Sequence, residues 1–212
     1  MSSDNDHDLP VMVEEVRDGI VKVVLNRPTR LNAMTSELVE SLHDTFDSLA
    51  RRATCRVVIL TGSGRGFCAG LDLGGYGKAP DSEGLGATQT AFKVQQHIAS
   101  LIGRMRSMPQ PIIAAVNGPA AGGGLALVLG SDIRLACTGS RFNVAFVRIG
   151  FSACDIGTSW LLPRIVGVAR AQELMLTGRI IEADEALRIG LVVEVVEQDE
   201  LMSLALRKAD EV

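Results

Sequence analysis

Short apolar runs and longer amphipathic stretches alternate along nearly the whole chain. Val11–Val16 and Ile20–Leu25 are rich in β-branched residues, and Asp18-Gly19 between them predicts a hairpin. From Thr35 the period lengthens, and Leu38, Leu42, Phe46 and Leu49 fall on one helical face. Arg56–Thr61 and Pro111–Val116 are continuous apolar runs of the kind that a buried parallel strand needs. Between them, residues 74–90 carry five glycines and few large apolar residues, which predicts a mobile loop able to act as a lid. Thr88–Ser107 then reads as an amphipathic helix bearing Phe92, Ile98, Leu101, Ile102 and Met105. A helix is expected near Leu125–Leu129 and a strand at Ile133–Ala136. Further helices are expected at Ser159–Val166, Arg170–Leu176 and Ala183–Arg188, then a strand at Leu191–Val196.

Strand, glycine turn and helix recur without any repeat of the letters themselves, so the fold class is α/β or α+β with one continuous core. At 212 residues the chain suits one domain over 11–212, after a disordered leader at 1–10, with a helical C-terminal part from about 160. Composition narrows the class: 47% of residues are hydrophobic and 22% charged, which excludes an intrinsically disordered chain. A net charge of −4 argues against coating nucleic acid or an anionic membrane, and aromatics at 4% leave few platforms for stacking bases. No apolar run approaches the roughly 20 residues of a membrane span. Cys55, Cys68, Cys137 and Cys154 are scattered, without a CxxC, and read as reduced thiols rather than metal ligands. With the polar start MSSDNDHDLP, this makes a cytoplasmic protein the expectation.

The 22 glycines concentrate where chemistry is expected. TGSGRGFCAGLDLGG follows one buried strand, and NGPAAGGG follows the next and opens a helix. A dinucleotide fingerprint fails, because FCAGLDLGG is not a long amphipathic helix. A phosphate loop fails for want of Gly-Lys-Ser/Thr, and a nucleophile elbow for want of G-x-S-x-G. Two readings remain open on spacing alone. The glycines can pack strand against helix, or they can aim two backbone N–H groups at one oxygen as an oxyanion hole.

As strings, the turns are more specific than their glycines. VVILTGSGRGFCAGLDL, QPIIAAVNGPAAGGGLALVLGSDIRLA and SRFNVAFVRIGFSACDIGTSWLLPRIVG resemble the enoyl-CoA hydratase/isomerase (crotonase) family. LNRPTRLNAM and MLTGRIIEADEALRIGLVVEVV are similar to the same family in the same order. The resemblance implies a spiral of ββα units with a helical C-terminal part, here shorter than usual. It also implies a homotrimer or dimer of trimers, an acyl-CoA thioester as partner, and no cofactor beyond the coenzyme A of the substrate.

Carried over by position, it makes Leu71 and Gly123 the N–H donors to a thioester enolate, with Ala69, Gly70 and Gly122 beside them. Arg30, Leu31 and Ala33 match the segment lining the CoA, with Arg30 as a phosphate contact unless it is simply a solvated side chain. Asp72 and Leu73 are expected to fix the first turn. The two glutamates of the hydratases are replaced by Ala126 and Phe146, neither of which moves protons. Asp155, in a Asp-x-Gly-Thr stretch, is the acid left nearby; it either shuttles a proton between carbons or caps a helix. Isomerisation is therefore expected before hydration, and a non-catalytic acyl-CoA-binding protein is the rival. His97 reads as a packing or surface residue, Trp160 and Tyr76 as packing and loop residues, and Cys68 and Cys154 as small hydrophobes.

Overall fold

The computed structural model describes residues 9–150, 152 and 156–212. Strands β1 (Val11–Arg17) and β2 (Ile20–Leu25) form the expected hairpin, with Gly19 at φ +75° in its turn. Of the expected leader, residues 1–8 lie outside the described residues. Residues 9 and 10 belong to the folded body, because Asn26 donates from its backbone N–H to the Pro10 carbonyl (2.7 Å) and from its amide to the Leu9 carbonyl (2.9 Å).

Each following strand adds in parallel. β3 (Val57–Gly62), β4 (Ile112–Val116), β6 (Ile133–Cys137) and β9 (Glu194–Val196) complete a six-stranded sheet in the order β1-β2-β3-β4-β6-β9. Helices α1 (Ser36–Arg51), α2 (Ala87–Ser107) and α3 (Gly123–Gly130) supply the crossovers. The Thr35 hydroxyl caps α1 by accepting from the Leu38 N–H at 3.3 Å. Because side chains alternate along a strand, β3 sends Val58 and Leu60 to the main core with α1–α3, and Val57 and Ile59 to the other face. That second face is covered by α7 (Leu201–Asp210), through Leu201, Leu204, Ala205 and Ala209.

Helices α4 (Thr158–Val166), α5 (Val168–Thr177) and α6 (Ala183–Arg188) lie close to their expected bounds. A small sheet of β5 (Ala120–Ala121), β7 (Arg141–Asn143) and β8 (Ile180–Glu182) was not expected, since strands of two or three residues carry no readable period. Phe92 departs from the amphipathic pattern: it is 62% exposed, and α2 meets the core from Val94 onward, with its buried positions beginning at Ile98. The glycine-rich stretch is irregular from 74 to 86, but it is pinned. Tyr76 is buried, accepts the Ser36 N–H on its carbonyl (2.7 Å), and hydrogen-bonds through its hydroxyl to His97 Nδ1 (2.8 Å). Among the described residues no helix is long and apolar enough to cross a membrane.

Candidate active site

The site forms at the carboxyl ends of β3 and β4, where a parallel sheet leaves its turns free to meet a ligand. Leaving β3 at Gly62, the chain turns through residues 63–66, a segment outside helix and strand whose carbonyls need partners. Two buried asparagines provide them. The Asn32 amide donates to the carbonyls of Ser63 (3.0 Å), Gly66 (2.8 Å) and Phe67 (3.1 Å). Asn117, at the end of β4, accepts the Gly62 N–H at 3.1 Å and donates to the Gly64 carbonyl at 3.0 Å. Reading the sequence missed both residues. The available signal was that an Asn stands in each of LNAM and VNGP, next to the turns.

The first turn then runs between two neighbours that fix it. On one side, Met34 donates to the Gly70 carbonyl (2.7 Å) and accepts from the Asp72 N–H (3.0 Å), so Leu71 is bracketed. On the other, Cys68 donates to the Pro119 carbonyl (3.1 Å) and accepts from the Ala121 N–H (3.0 Å). This stitches the first turn to the second. The two backbones touch: a Cβ on Gly70 would sit 2.7 Å from the Ala121 carbonyl oxygen and 3.3 Å from the Gly123 nitrogen. Gly70 (φ +89°) and Gly122 (φ +50°) also hold conformations that side-chain-bearing residues avoid. Gly123 is the first residue of α3, whose early N–H groups have no intrahelical acceptor. Among the described residues, neither the Leu71 nor the Gly123 N–H has a hydrogen-bond partner.

Both residues line one cavity of 130 Å³, together with Ala69, Gly70, Leu73 and Gly122. Its remaining described wall is apolar apart from Gln95 of α2, and Phe146 is part of it. Ala126 is buried within α3 and does not reach the cavity. Positions 126 and 146, which the resemblance assigns to the hydratase glutamates, thus carry hydrocarbon side chains, and no titratable side chain lines the cavity among the described residues. Asp155 and Cys154 lie outside the described residues.

Arg30, Leu31, Ala33 and Asp72 are brought beside the first turn but not into the cavity. Leu31 accepts the Ala69 N–H on its carbonyl (2.9 Å), and the Ala33 carbonyl accepts from the Arg27 guanidinium. Asp72 is buried and ion-paired with both Arg30 (2.9 Å) and Arg27 (3.0 Å), while accepting the Gly74 N–H at 2.9 Å. The Arg30 hydrogen bond, helped by Gly74 and Arg27, lowers its pKa to about 2. Asp72 therefore clamps the exit of the turn as an anion at any ordinary pH. His97 stands away from the cavity, stacked on His43 at 5.4 Å and edge-on to Tyr76. Burial, then the neighbouring His43, lowers its pKa, which fits a packing role. Burial pushes the Cys68 thiol up to about 12, so it is inert.

Residues 15–212 match the model of the Enoyl-CoA hydratase/isomerase family. The chain belongs to this family. Relatives within it carry different activities in their names. A probable enoyl-CoA hydratase of Mycobacterium leprae is 42% identical over 203 residues, 94% of this chain and 69% of its own length. The 1,2-epoxyphenylacetyl-CoA isomerase of Escherichia coli is 37% identical over 198 residues, 93% and 74% of the two chains. Among solved structures, a probable enoyl-CoA hydratase/isomerase from Mycobacterium abscessus superposes with a TM-score of 0.88 at 37% identity, over 95% of this chain and 75% of that one. A monofunctional enoyl-CoA isomerase from M. smegmatis gives 0.79 at 37% identity, over 96% and 84%. The mixed α/β fold expected from the sequence is that of these enoyl-CoA hydratase/isomerase structures.

Proposed function

We propose that this member of the enoyl-CoA hydratase/isomerase family polarises an acyl-CoA thioester with the Leu71 and Gly123 N–H groups and shifts a double bond, rather than adding water. The observation that carries this reading is the pair of unpartnered backbone donors opening on one apolar cavity. Negative charge developing on a thioester oxygen would be met there by two fixed dipoles and the N-terminus of α3. Hydration needs groups that activate and deliver water, and hydrocarbon at 126 and 146 supplies neither. Isomerisation needs one group that removes a proton from one carbon and returns it to another, and Asp155 is assigned that role. The reading calls for no cofactor beyond the coenzyme A that the substrate brings. We assign Arg30, which stays more than half exposed while it holds Asp72, to the CoA phosphates, and extend the reading to a cytoplasmic homotrimer or dimer of trimers.

A second reading, an acyl-CoA-binding protein without chemistry, is favoured by the absence of a titratable side chain from the described cavity wall. Enoyl-CoA thioesters with double bonds at different positions, tested on wild type and Asp155→Asn for binding and turnover together, separate the two. Turnover by wild type that is lost in Asp155→Asn, with binding retained, is the expected result. Binding without turnover in every case supports the second reading, and undiminished turnover in the Asn variant removes Asp155 from the mechanism.

A further inference from the structure

Among the described residues of a cavity lined by hydrocarbon and glycine, one side chain is out of character. Gln95 and Ile98 stand three residues apart on α2, so they present the same face, and both line the cavity. Around them the wall is Met34, Phe146, Ile149 and Ile156, none of which hydrogen-bonds through its side chain with any strength. The Gln95 carboxamide is half-buried and has no hydrogen-bond partner among the described residues. It is not needed to hold α2, which is attached to the core by Val94, Ile98, Leu101, Ile102 and Met105. Nor is it a member of the Tyr76–His97–His43 cluster, which leaves from a different side of the helix.

We infer that Gln95 reads a polar substituent on the acyl chain, so that the preferred substrate is a short enoyl-CoA carrying a hydroxyl or carbonyl oxygen beyond the double bond. This rests on the thioester-binding role proposed above for the same cavity. A plain alkyl chain entering the cavity would strip water from the carboxamide and return nothing. A buried amide left unpaired in this way costs roughly ten- to a hundredfold in affinity. An oxygen on the chain restores the bond, and a carboxamide both donates and accepts, so it can pair with either group. The discrimination is one that an apolar wall cannot achieve, because a hydrocarbon pocket rejects an added hydroxyl only weakly.

The test is calorimetric binding of hex-2-enoyl-CoA and of its counterparts hydroxylated at carbon 4, 5 or 6, to wild type and Gln95→Met. Methionine keeps the length and flexibility of the side chain and removes the amide. Wild type is expected to bind at least one hydroxylated thioester about tenfold more tightly than the plain one. Gln95→Met is expected to lose that preference while binding the plain thioester at least as well as wild type, which also reports an intact fold. Equal binding of all four thioesters by wild type, or a preference that survives in Gln95→Met, overturns the inference and leaves the thioester-binding role standing. Failure of wild type to bind any of the four overturns both.

Discussion

Gly124 shows how closely the site is packed at the level of single atoms. A Cβ there would sit 2.0 Å from the Cys68 carbonyl oxygen, a backbone atom, far inside van der Waals contact. That oxygen cannot step aside, since it already accepts the Ala121 N–H. Gly124→Ala is therefore expected to destabilise the fold by about 3 kcal/mol or more. Urea unfolding would measure it, and a change below about 1 kcal/mol would mean that the turns are not fixed against each other. Asp72 has a pH signature. Its pKa is lowered from 3.8 to about 2, so its stabilisation is complete above pH 3.8 and is lost as the pH falls toward 2. Asp72→Asn should cost about 1–2 kcal/mol at pH 7. That difference should shrink between pH 3.8 and 2; denaturation curves showing a constant difference would disprove the clamp. In the role proposed above Leu71 acts through its main chain, so Leu71→Ala should change kcat little. Replacing its amide by an ester, which deletes the N–H alone, should cost about 10²–10³ in kcat.

Among the elements, those that bury a regular face were legible and those held by single contacts were not. β2 and α6 keep their expected bounds and α1 starts within a residue of Thr35, because in each the spacing of apolar positions is also the spacing of contacts with the core. β5, β7 and β8 were invisible, although β5 is what lays the second turn against the first through the bridge from Ala120 to Cys68. Such strands are defined by what they pair with, and pairing is not written in a two-residue string. The turns themselves were readable as glycine clusters, but Asn32 and Asn117 give no periodic signal. α2 misled in a different way: its apolar residue Phe92 faces outward, while Gln95 faces the cavity. Phe92→Ser should accordingly alter stability by less than about 0.5 kcal/mol in urea unfolding, whereas a loss above about 1 kcal/mol would place Phe92 in the core.

For the whole molecule, the two faces of the large sheet differ in what they carry. The main core joins the sheet to α1–α3 and, through them, to both turns of the site. The opposite face is closed by α7, with Leu204 2% exposed at its centre. Leu204→Ala should cost about 2–5 kcal/mol of stability. Because the site hangs on the other face, KM for an acyl-CoA should move by less than about twofold at temperatures where the variant is folded. A large rise in KM would show that the faces are coupled. The pair of unpartnered N–H groups has a consequence for how such a protein can change over generations. A codon specifies a side chain and cannot delete an amide, short of introducing proline. Point mutations can therefore remove or exchange the acids around the cavity one at a time, while the donors at 71 and 123 are inherited with the backbone path. Reaction type and oxygen-binding capacity are in this sense separately heritable. On the proposed function, a chain with alanine at 126 and phenylalanine at 146 would keep the part that is hardest to reinvent.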